Sequence, residues 1–126
     1  QAADLDAVGG RRAVTDLFLE TARAASDFYI DGYSARDGVP YWDSGAPGLH
    51  RLGEITKRDA DPFNDHEPVD SSAAAIAAQG LIRLGQYLAA KGSAAAGRRY
   101  LQAGLTIADT IFNEPYLSAD SRHQGL

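Results

Sequence analysis

Apolar positions recur at helical spacing in three stretches of the chain. From Ala13 onward, Val14, Leu17, Phe18, Thr21, Ala25 and Phe28 fall at i, i+3, i+4, i+7, i+11 and i+14, which predicts a helix with one apolar stripe. Asp16, Glu20, Arg23 and Asp27 lie off the stripe and read as a solvated face, and Gly32 with the 34–38 region ends the helix. The second stretch, Asp70 to Lys91, opens on Asp-Ser-Ser after Pro68-Val69 and carries Leu81, Leu84 and Leu88 at helical spacing. Aspartate is a preferred N-cap because its carboxylate accepts a first-turn amide, and the proline discourages an earlier start. Ala73, Ala74, Ala75, Ala77, Ala78 and Gly80 predict a thin surface that a neighbouring helix can approach closely. A third helix is predicted from Ala94 to Phe112, with Leu101, Leu105, Ala108 and Phe112 on one face. The Gly92-Ser93 link is short enough to make the second and third helices an antiparallel hairpin.

No segment alternates as a strand does, so the fold class is all-α, with about three helices and one long loop. The loop, residues 32–69, is rich in Gly, Pro, Asp and His. A connection of that length is either functional or ordered against something else.

Composition narrows the options. A formal net charge of −5 disfavours a nucleic-acid partner, and no apolar run approaches the ~20 residues of a membrane span. With no cysteine there is no disulfide and no thiolate chemistry, which fits a cytoplasmic location and is compatible with a periplasmic one. The absence of methionine means that the chain does not begin at a start codon, and a segment of a larger protein is expected.

Asp59, Asp61, Asn64, Asp65, Glu67 and Asp70 supply oxygen ligands at short spacing. A calcium loop needs glycine at its sixth place and a bidentate glutamate at its twelfth; these are Asn64 and Asp70, so 59–67 reads as a solvated acidic loop. His50, His66 and His123 are too scattered for zinc, Arg98-Arg99 reads as a solvated face, and no metal or cofactor is expected. The helical hairpin also suits one unit of a helical-repeat interaction module, although no second copy recurs at the ~34-residue period of such arrays.

Two motifs carry a resemblance. Val39-Pro40-Tyr41-Trp42-Asp43, followed by Pro68-Val69-Asp70-Ser71-Ser72-Ala73-Ala74-Ala75-Ile76-Ala77-Ala78 and then Gly80-Leu81 and Leu84, resembles the unsaturated glucuronyl hydrolases of glycoside hydrolase family 88. Tyr116-Leu117 and His123-Gln124-Gly125-Leu126 are similar to a later stretch of those enzymes. The resemblance implies an (α/α)6 toroid of six helical hairpins, of which residues 1–126 form one segment whose partner is the rest of the toroid. It implies a substrate too, an oligosaccharide ending in a 4,5-unsaturated uronic acid. Asp70 matches the family's general acid/base, which protonates the C4 side of the double bond while water adds at C5, and the resulting hemiketal rearranges with loss of the glycosidic link. Trp42 matches an aromatic of the sugar site. Read by themselves, the three histidines are surface residues, with a place in a sugar-pocket wall the alternative for His66 and His123. In the family a second aspartate, in an upstream histidine-aspartate turn, faces the first; no part of residues 1–30 matches that turn. An N-cap carboxylate is held acidic by the helix dipole and amide hydrogen bonds, so proton donation by Asp70 needs such an opposing group. The segment alone is expected to be inactive.

Overall fold

A computed structural model describes residues 2–120. Among the described residues four α-helices form: α1 (Ala2–Ala7), α2 (Arg12–Phe28), α3 (Ser71–Ala90) and α4 (Ala94–Ile111). α2 continues into a π-helical turn at Tyr29–Tyr33, and 3-10 turns occur at Leu49–Arg51 and Ile55–Lys57. Among the described residues there is no strand, only two isolated antiparallel bridges, so the fold is all-α. No helix among the described residues is long and apolar enough to cross a membrane.

α3 and α4 form the antiparallel hairpin, turning at Gly92 with φ 86° in the left-handed region. Ala74, Ala78, Leu81, Leu84 and Leu88 of α3 are buried with Tyr100, Ile107 and Ile111 of α4 and Val39 of the long loop. The close contact is made by glycines the alanine pattern did not single out. A Cβ at Gly85 would sit 2.7 Å from the Gly97 carbonyl oxygen, one at Gly97 2.6 Å from the Gly85 carbonyl oxygen, and one at Gly104 2.8 Å from Ile82 Cγ1. Gly80, expected in that surface, faces open space.

This approach rotates α4. Its buried positions are Gly97, Tyr100, Gly104, Ile107 and Ile111, one residue off the expected face, a turn of roughly 100°. Leu105 and Phe112 are consequently exposed. The expected face of α2 fails similarly. Val14, Leu17, Phe18 and Phe28 are exposed, while Leu19, Ala22, Tyr29 and Ile30 pack against the core. Polar contacts join the same elements: Arg99 of α4 holds both Asp31 oxygens, at 2.7 and 2.8 Å, and bonds Asp27 with its other terminal nitrogen, while the Tyr100 hydroxyl donates to Asp27 at 2.9 Å. Asp27 and Arg99 are therefore paired in a clamp between helices while their side chains stay 47% and 42% exposed. The Tyr100 hydroxyl first, and Arg99 after it, hold the Asp27 carboxyl below its ordinary range against the opposing effect of burial.

The long loop is ordered against the hairpin. Gly38, with φ 85°, comes so close to Ile107 that no side chain fits there, and this turn delivers the fully buried Val39 into the core. Thr110 Oγ1 and the Tyr29 hydroxyl donate to the carbonyls of Asp37 and Gly38, and the Asp37 carboxylate accepts the amides of Val39 and Ala60.

Candidate active site

Asp70 is the N-cap of α3: its Oδ1 accepts from the Ala73 amide at 2.8 Å and from Ser72 Oγ at 2.7 Å. The Ser72 hydroxyl first, then the Ala73 amide, hold the carboxyl below its usual range, while partial burial pushes the other way. No second carboxylate is among these causes, and their net direction favours the charged form.

A short ladder links the backbone around Trp42 to that around Asp70. Tyr41 bridges Val69, the Asp70 amide donates to Pro40 at 2.8 Å, and the Trp42 amide donates to Pro68 at 3.0 Å. Paired residues share a face and successive residues alternate. Tyr41 and Val69 turn to the core, while Asp70 lies opposite the buried Pro40 and Trp42 opposite Pro68. Trp42 remains half exposed.

Two tyrosines missed in the sequence flank this ladder. The Tyr33 hydroxyl donates to the Tyr41 carbonyl at 2.7 Å. Burial, and then the Asp70 and Asp43 charges, push its pKa up, so the phenol stays protonated and its hydrogen stays committed to that carbonyl. Tyr29 behaves likewise: burial foremost, with Tyr33, Asp70 and Asp37 adding, raises its pKa.

A weak sequence similarity accompanies this geometry. The chain is 31% identical over 109 residues to an unsaturated glucuronyl hydrolase of Formosa agariphila. The relationship is distant. The match takes in 82% of this chain and spans only 21% of the relative's length. No protein-family model matches, and neither does any solved structure.

The acidic loop is less solvated than its composition suggests. Glu67 is buried; its Oε2 accepts the Trp42 indole N–H at 2.6 Å and its Oε1 accepts the Gly48 amide. Asp59 is paired with Arg36 at 2.9 and 3.0 Å, and Asp61 Oδ1 accepts the Phe63 amide, so these oxygens serve protein donors. Asn64, at the place where a calcium loop has glycine, organises the turn: Nδ2 donates to the carbonyls of Asp61 and Glu67, and Oδ1 accepts the amides of His66 and Glu67. Asn64→Ala is expected to destabilise the protein by about 1–3 kcal/mol, because backbone groups of a partly buried turn lose their partners. Urea unfolding measures the loss, and hydrogen exchange should quicken at the Glu67 amide.

His66 is exposed and lies in a polar depression of about 490 Å³ with Arg51, Arg58 and Asp65, which neither Trp42 nor Asp70 lines. His50 is exposed, its Nδ1 2.7 Å from the Pro47 carbonyl. His123 and the 123–126 motif lie outside the described residues. No group of three or more His, Cys, Asp or Glu among the described residues is placed to hold a metal. A cavity of about 460 Å³ between the π turn and α4, lined by Tyr29, Ile30, Ala103 and Ile107, is separate from Asp70 and Trp42.

Proposed function

We propose that this chain carries the proton-transfer side of a glycoside hydrolase acting on oligosaccharides that end in a 4,5-unsaturated uronic acid. The observation that carries the reading is the ladder of residues 40–42 with 68–70, which ties an α3 N-cap carboxylate to a half-exposed indole. Similarity to an unsaturated glucuronyl hydrolase supports a carbohydrate substrate, and the unsaturated uronate is the reading built on it. In this reading α3 and α4 are one hairpin of an (α/α)6 toroid.

The sugar ring lies on the Trp42 indole, whose flat apolar face suits the C–H face of a pyranose. Protonated Asp70 gives its proton to C4 of the double bond, and water attacks C5. The proton released from that water returns to a carboxylate, so the net change is addition of one water. The hemiketal so formed rearranges and the glycosidic link breaks. Protonation of Asp70 requires an opposing acid to offset the Ser72 and Ala73 hydrogen bonds, and that acid comes from the remainder of the toroid.

The test uses the natural polypeptide that carries this sequence and two disaccharides, one with a terminal unsaturated uronate and one with its saturated counterpart. The expected result is loss of the conjugated-alkene absorbance with the first and no cleavage of the second. Equal cleavage of both would point to ordinary glycoside hydrolysis; no effect on either would favour a helical interaction module.

A further inference from the structure

We infer that Glu67 is the positioning residue of the Trp42 platform, setting the plane of the indole against which the sugar rests. The inference rests on the proposed role of Trp42 and adds a residue to it. Glu67 stands in an acidic run, where most carboxylates face solvent, yet it is only 6% exposed. A buried carboxylate demands hydrogen-bond donors, and this one has two: the Trp42 indole N–H at 2.6 Å on Oε2 and the Gly48 amide on Oε1. The surroundings are shaped to admit it. A Cβ at Gly48 would lie 2.6 Å from Glu67 Oε1 and 3.0 Å from the His66 carbonyl oxygen, so the carboxylate occupies the space a larger residue would need. From behind, Asn64 fixes the Glu67 backbone at both its amide and its carbonyl, at 2.9 and 2.8 Å.

The consequence concerns Trp42. Its backbone amide is held by Pro68 and its indole nitrogen by Glu67, so a side chain that is half exposed is restrained at both ends. An exposed indole without the second restraint would sample several rotamers, and binding sugar would then have to order it. Glu67 settles that ordering before the sugar arrives, which acts on affinity and leaves the proton transfer at Asp70 alone.

The test is a double-substitution cycle in the natural polypeptide that carries this sequence, read as KM and kcat on the unsaturated disaccharide. Glu67→Gln keeps the shape and can accept only one of the two N–H groups through its amide oxygen; it is expected to raise KM about 2–10-fold and to keep kcat within about twofold. Gly48→Ala crowds the carboxylate without altering its charge and should shift KM in the same direction. Trp42→Phe keeps an aromatic ring and removes the indole N–H, so Glu67→Gln added to it should raise KM no further. An equal rise from Glu67→Gln in the presence and absence of the indole N–H overturns the inference, because Glu67 then acts by another route. Unchanged KM for Glu67→Gln and Gly48→Ala, with KM raised by Trp42→Ala, overturns it while leaving the platform intact. Unchanged KM for Trp42→Ala removes the platform, and the positioning role with it.

Discussion

Asp70→Asn in the natural polypeptide is expected to lower turnover of the unsaturated substrate by about 10²–10⁴-fold, the range that a positioned acid/base supplies, while leaving the fold in place. Asparagine caps a helix about as well as aspartate. Its side-chain oxygen can still accept from the Ala73 amide and Ser72 Oγ, so α3 begins where it did. What it cannot do is carry and release a proton. Asp70→Ala separates the two roles from the other side: it removes the cap as well and should destabilise the protein by about 1 kcal/mol. The comparison belongs at neutral pH. Within the described residues alone, hydrogen bonds hold the Asp70 pKa below its ordinary 3.8, so there its contribution to stability is fully present above that value and is lost as pH falls through the lower folded one; the opposing acid of the natural polypeptide works against this. Turnover in Asp70→Asn close to that of the unaltered protein would remove Asp70 from the mechanism.

The second large effect is on the hairpin that presents Asp70. Gly97→Ala should lower stability by about 1–3 kcal/mol, because the new methyl meets backbone atoms, the Gly85 carbonyl oxygen at 2.6 Å and the Ala89 amide nitrogen at 3.0 Å, and neither can step aside without moving a helix. Alanine's better helix propensity, about 0.5–1 kcal/mol over glycine, offsets only part of this. Gly80→Ala provides the control: nothing lies within 4 Å of the place its methyl would take, so the propensity gain stands alone and stability should rise by about that amount. Chemical denaturation of the two variants should move the midpoints in opposite directions. A Gly97→Ala protein as stable as Gly80→Ala would mean that α3 and α4 do not meet through their glycines.

The features legible in the sequence are those set by neighbours along the chain. The α3 start is one, because Asp70 bonds the amide three residues on, and the α3–α4 turn is another, because Gly92 supplies a left-handed φ where helical periodicity stops. The faces of α2 and α4 were illegible for the opposite reason. The Arg99 clamp joins residues 68 and 72 positions apart, and the glycine contacts pair Gly85 with Gly97 and Gly104 with Ile82 across two helices. Apolar stripes record where large side chains recur, whereas these helices approach along their smallest residues. Trp42 and Asp70 could be singled out by motif, but the ladder that joins them is a long-range pairing. Glu67 had no local signal at all: 25 positions separate it from the indole it holds, and within its acidic run it looks like any solvated carboxylate.

The most direct measurement is a crystal structure of the natural polypeptide, carrying Asp70→Asn to prevent turnover, with the unsaturated disaccharide bound. The account predicts the sugar ring stacked on Trp42 and C4 of the double bond within about 3 Å of the side chain at position 70, the reach of a proton donor. A sugar bound with its double bond directed away from that side chain would contradict it.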